Sequence, residues 1–184
     1  MQAGALFEQI MGNPRAKFTA TKFQWLANLN TQTSIAITWH TTKVKTFDDM
    51  LKHNVNFGTS GPNTTEQNSS LLINLFGAKI KQIPGYRSVT SMYKPLEARE
   101  IDGMTTLWQG IPARFPRWIK NKRLNYIMFI ATKKTPDLPN VPLIEEFLTP
   151  KYLKPGFKKK DVLKIVSFLA SQQDIARPYA FGPG

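Results

Sequence analysis

Apolar and polar positions along the chain switch repeatedly between a two-residue and a helical period. Ser34–Trp39 (SIAITW) is dominated by β-branched and apolar residues and predicts a buried strand. Thr46 is a fitting N-cap for a short helix over Phe47–His53, because Asp48 and Asp49 would sit in its positive first turn. The pattern then predicts a strand at Val55–Phe57, a helix at Thr65–Phe76 and a strand at Lys79–Ile83. A helix at Val89–Arg99 with Pro95 inside it, a strand at Ile101–Thr105 and a helix near Pro112–Lys122 follow. Strand Leu124–Ala131, the proline-spaced DLPNVPLIEEF and a helix near Lys160–Ser171 complete the series. Before it lie a short helix around Ala5–Met11 and the aromatic segment Phe23–Leu26. Strands separated by helices of about ten residues are the pattern of βαβ units, so an α/β fold with mainly parallel strands is expected.

Composition narrows this picture. With 184 residues, 41% of them hydrophobic, the chain can bury a core as one domain or two small lobes. No apolar run approaches the ~18 residues of a membrane span, and MQAGALFEQIMG has neither the basic start nor the apolar run of a signal peptide. The absence of cysteine excludes disulfides, thiolate metal sites and a cysteine nucleophile. A formal charge of +13 favours anionic partners, and a basic α/β module that binds nucleic acid or another polyanion is one reading of it. The lysines are scattered over helix ends and loops, however, and no zinc-finger, RNP-like or helix-turn-helix pattern accompanies them.

The most specific stretch is NVNFGTSGPNTTEQNSSLLINLFG, residues 54 to 77, a strand that turns into an amphipathic helix. A helix start leaves N–H groups unpaired and carries partial positive charge, so it can hold an anion. Gly58 and Gly61 permit close approach of backbone, and Thr59, Ser60, Asn63 and Thr64 add neutral donors. Spacing equally allows Thr64 with Gln67, or Asn63 with Glu66, to form a capping box that satisfies the helix internally. No Lys-Ser/Thr pair follows the second glycine, so this is not a P-loop. QIPGYRSV sets Tyr86 and Arg87 at a second strand exit, and IDGMTTLW sets Thr106 and Trp108 at a third. Arg87 is either a carboxylate clamp or a surface arginine, and Trp108 either a pocket wall or a core residue. Three such turns would line one rim of one sheet, where open α/β folds bind ligands.

Catalytic chemistry finds little support. His40 and His53 lack partners at metal-ligand spacing, and no G-x-S-x-G elbow occurs. Asp48-Asp49 and Glu145-Glu146 are adjacent pairs, which do not face each other on a helix. We therefore expect a non-enzyme with no cofactor and no metal.

The segments KFQWLANL, TWHTTKVKTFDDM, NFGTSGPNTTEQNSSLLINLFGAKIKQIPGYRSV, LEAREIDGMTTLW and TKKTPDLPNVPLIEEF, in this order, resemble the Bug-type periplasmic substrate-binding proteins of tripartite tricarboxylate transporters. DIARPYAFGPG resembles the proline-rich strand that follows in those proteins. The resemblance implies a two-lobed, type II periplasmic-binding fold that closes over a small organic carboxylate. It implies membrane transporter subunits as partners, a periplasmic location and no role for nucleic acid. Residues 1–41 and 126–184 would belong to lobe 1 and residues 42–125 to lobe 2, with the crossings near Thr41–Thr42 and Ile127–Ala131. Thr59, Ser60, Gly61, Asn63 and Thr64 would meet the carboxylate, with Tyr86, Arg87, Thr106 and Trp108 on the neighbouring loops. Measured against that pattern the first strands and the first lobe's ligand loop are missing, so a fragment with an incomplete first lobe is expected.

Overall fold

A computed structural model describes residues 17–61, 64–174 and 178–182, together with Gly12 and Pro14. The helix expected at Ala5–Met11 lies outside the described residues, as does Asn63. The described residues form two sheets, a five-stranded sheet and a separate two-stranded ribbon.

The five-stranded sheet contains β2 (Ser34–Trp39), β3 (Val55–Gly58), β4 (Ile80–Ile83), β5 (Gly103–Leu107) and β6 (Leu124–Ile130), in the spatial order β4-β3-β5-β2-β6. β3 pairs parallel with β4 and with β5, whereas β2 is antiparallel to both β5 and β6. Four strands thus run one way and β2, between β5 and β6, runs the other. All six β2 residues are buried, as their composition requires of a strand packed on both faces. Alternation divides them: Ala36 joins one core cluster, while Ile35, Ile37 and Trp39 join the other.

The first cluster is covered by α1 (Phe47–Lys52), α2 (Thr64–Phe76) and α6 (Lys159–Asp174), which contribute Phe47 and Met50, Leu72 and Leu75, and Val162 and Val166. α1 forms because Thr46 accepts from the Asp49 N–H while the Asp49 carboxylate accepts from the Thr46 N–H, a reciprocal capping box. The Thr46 contacts hold the Asp49 carboxyl below its ordinary range. α2 ends at Gly77, whose φ of 73° is the left-handed exit that glycine adopts most readily.

The second cluster lies under α3 (Tyr93–Glu97), α4 (Gly110–Arg114) and α5 (Pro116–Lys120). Of the two helices expected here, the one with Pro95 inside it changes form and the other is broken. Val89–Met92 is a 3₁₀ turn before α3, and Pro95 falls within the first turn of α3, where its missing N–H costs little. The helix expected over Pro112–Lys122 breaks at Phe115 because a residue before proline is pushed out of the α region, and Pro116 starts α5. Gly103 is tightly enclosed: a Cβ there would lie 2.4 Å from the Phe57 ring and 2.5 Å from the Ile37 carbonyl oxygen.

The ribbon joins β1 (Gln24–Asn28) antiparallel to β7 (Pro178–Phe181). It realises the aromatic segment and the proline-rich strand noted in the sequence, and it leaves Trp25, Leu26, Tyr179 and Phe181 exposed.

Candidate functional site

The carboxyl ends of β3, β4, β5 and β6 and the start of β2 meet at one edge of the five-stranded sheet. Gly58 pairs with Ile83 and with Met104, and Ser34 pairs with both Leu107 and Ile130. The three turns singled out in the sequence therefore share this rim.

At its centre, β3 delivers Thr59 and Ser60 to the start of α2. Thr59 is 1% exposed; its N–H donates to the Ile83 carbonyl at 2.9 Å. Its Oγ1 is a buried side-chain atom with no hydrogen-bond partner among the described residues. That is costly, since a buried hydroxyl left unmatched loses about 1–3 kcal/mol relative to one that is satisfied. The Ser60 N–H donates to Thr65 Oγ1 at 3.2 Å, and the two hydroxyls are 3.3 Å apart. Thr65 thus closes the turn across α2's first residues. The Thr64–Gln67 box does not form among the described residues, and the Asn63–Glu66 alternative lies outside them. The Thr65 carbonyl also accepts from Thr105 Oγ1 at 3.0 Å and from Ser69 Oγ at 2.8 Å, tying the turn to β5. Gly61, at φ 95°, takes a left-handed conformation in the turn.

The other expected residues are arranged around this turn with different roles. The Tyr86 ring lies over Gly58, 3.3 Å from where a Cβ would be. Burial, and behind it the Glu100 carboxylate, push the Tyr86 phenol up, so it remains a protonated donor at neutral pH. Arg87 is exposed. Thr106 is buried and shares a 2.9 Å hydrogen bond with the Tyr93 hydroxyl. Trp108 is a core residue, 3% exposed, with its Nε1–H donated to Asp137 at 2.8 Å.

Sequence reasoning noted Thr105 only as lying at the exit of the third strand, and it missed Thr65, Tyr93 and the glutamines that hold the rim. Buried Gln173, near the end of α6, accepts from the Ser34 N–H at 2.8 Å and donates to the Ile130 carbonyl at 2.6 Å. Gln109 accepts from the Thr33 N–H and donates back to the Thr33 hydroxyl. A glutamine inside an amphipathic helix looks like a surface residue; only the fold puts Gln173 across two strand ends.

The fold with its rim can be set beside solved structures. No protein-family model matches the sequence, and no curated protein matches it. Among solved structures, a TctC solute binding protein from Polaromonas superposes with a TM-score of 0.65 at 14% identity, over 100% of this chain and 69% of that one. The fold is that of the TctC and Bug proteins. The periplasmic binding protein BugD gives a TM-score of 0.59 at 12% identity, covering 98% of this chain and 67% of BugD. MatC from Rhodopseudomonas palustris, solved with bound malate, gives 0.59 at 16% identity, covering 94% of this chain. The chain spans 60% of the length of MatC. These matches agree with the Bug-type resemblance seen in the sequence and with an α/β periplasmic-binding fold.

Proposed function

We propose that this chain is a solute receptor that holds a small organic carboxylate on the rim at residues 59–65. The observation that carries the reading is the Thr59 hydroxyl: buried, unpartnered, and set beside the start of a thirteen-residue helix. A carboxylate oxygen would satisfy that donor, and the partial positive charge of the α2 start would favour its charge. Ser60, Gly61, Asn63 and Thr64 would complete the donor set, with Tyr86 and Arg87 on the adjoining turn, Thr106 in β5 and Trp108 behind them. All these donors except Arg87 are neutral, which suits orientation of an anion without a fixed ion pair.

The bound malate of MatC supports a carboxylate as the class of ligand. On this reading the protein is periplasmic, non-enzymatic, and delivers its ligand to membrane subunits of a tripartite tricarboxylate-type transporter. Residues 42–125 would form the ligand-loop lobe. Residues 1–41 and 126–184 would form the other lobe, with the β1–β7 ribbon joining their far ends and β2 and β6 sharing the sheet of the ligand-loop lobe.

The test is a thermal melt against mono-, di- and tricarboxylates, malate among them, with a DNA duplex in parallel. A carboxylate should raise the melting temperature with its concentration, and Thr59→Val or Ser60→Ala should abolish the rise. A cooperative melt that no carboxylate moves, or that only the duplex moves, sinks the proposal.

A further inference from the structure

At the opposite end of the sheet, β2 exits between the starts of β5 and β6: Thr38 pairs with Gly103 and Trp39 with Leu124. The length of β2 puts this end about 17 Å from the rim. A cavity of about 720 Å³ opens there, with Arg99, Arg114, Arg117 and Arg123 on its lining and Arg114 Nη1 donating to Thr90 Oγ1 at 2.8 Å. Glu97 is the single carboxylate on its lining. Among the described residues no acidic group lies within 4.0 Å of any of the four arginines; the ion pair present joins Lys134 to Glu146 elsewhere. Arginines left without counter-charge around a cavity form a strong anion-attracting field.

The wall of the cavity is aromatic. Phe115 stacks on Trp118 with centroids 4.3 Å apart, and Trp118 meets Trp39 edge-on at 5.0 Å. His40 is held as a neutral ring. Arg123 Nη1 donates to its Nε2 at 3.0 Å, so Nε2 carries the lone pair and the ring hydrogen sits on Nδ1. Desolvation, then Arg123, Arg99 and Lys45, lower its pKa in agreement.

Backbone conformation adds a further observation. Arg99 has φ 63°, a left-handed position that a non-glycine residue occupies only under backbone strain. Glycine would end α3 more easily, yet an arginine stands there on the cavity lining.

The geometry points to a second ligand site at this pole, for a small organic molecule of the nucleoside-diphosphate class, carrying two or more phosphates beside a flat ring. A single carboxylate engages one guanidinium bidentately, whereas four of them match several oxyanion groups. The volume falls in the range of small-molecule sites, about 300–1,000 Å³, and the half-buried Phe115, backed by Trp118, offers a surface for the ring. This inference stands independently of the carboxylate reading of the rim.

Tryptophan fluorescence, reporting Trp39 and Trp118, would be titrated with ADP, inorganic pyrophosphate and adenosine. ADP should saturate at one per chain, pyrophosphate should bind more weakly, and adenosine should have no effect. Arg114→Gln, Arg117→Gln and Arg99→Gly should each weaken ADP by about tenfold, the loss of one charge-assisted contact. Arg99→Gly relieves a strained backbone, so its loss of binding cannot be blamed on misfolding. Carboxylate-induced shifts in melting temperature should persist in all three variants. Equal binding of ADP and pyrophosphate overturns the proposal, as does non-saturating, salt-steep binding that none of the variants alters.

Discussion

The two ends of the five-stranded sheet are built from different chemistry. At the rim, hydroxyls and amides of Thr59, Ser60, Thr65, Thr105 and Gln173 are buried or half-buried and mostly bonded to backbone. At the far pole, arginines stand on the surface around an open cavity. Neutral groups can be buried because backbone partners satisfy them, so the rim contributes to folding as well as to any ligand. Guanidiniums stay where water reaches them, and removing one disturbs little besides what it binds. The rim should therefore lose stability when altered, and the pole should lose only affinity.

The largest effect is expected at Gln173. Gln173→Ala leaves the Ser34 N–H and the Ile130 carbonyl buried without their partner and should cost about 2–4 kcal/mol, read by urea denaturation. Thr65→Val removes the acceptor for the Ser60 N–H and should cost about 1–2 kcal/mol by the same measurement. Thr59→Val has the opposite sign. It removes an unmatched hydroxyl from a site 1% exposed, and the ligand-free protein should be unchanged or up to about 1 kcal/mol more stable. A clear destabilisation would show that the hydroxyl already has a partner and would weaken the rim proposal.

At the pole, Arg114→Gln with Arg117→Gln should change stability by less than about 0.5 kcal/mol, since both side chains are exposed. A larger loss would break the contrast. The smallest effect is the pH dependence. His40 has a folded pKa below the ordinary 6.5, so the unfolded chain binds more protons just below that value. Stability should be complete above about pH 6.5 and decline slightly as pH falls from there toward the folded value. His40→Gln should flatten melting temperature between pH 5 and 7, while rim variants should keep the wild-type slope. The Asp49 and Glu146 carboxyls, held low by their hydrogen bonds, act only in a more acid range.

Sequence alone determined much of this protein, wherever the signal was local. The six buried residues of β2, the Thr46 cap of α1, and α2 with its Gly77 exit follow from patterning and capping chemistry within a few residues. So does the clustering of glycines and hydroxyls in the turn that follows β3. The break at Phe115 also has a local cause, in Pro116, although periodicity alone ran a helix through it. Other features required tertiary structure. The reversed direction of β2 depends on which strands flank it, and no residue inside β2 encodes that. The Thr65–Thr105 and Gln173–Ser34 bonds join residues 40 and 139 positions apart, beyond the reach of any spacing rule. No local pattern marks the arginines as a group: Arg99 and Arg123 follow short helices, Arg114 ends one and Arg117 opens one. Only the packing of those helices beside the exit of β2 gathers them around one cavity. Periodicity and capping act over a turn or two of chain, whereas a site is made by the strand order that brings distant turns to the same edge.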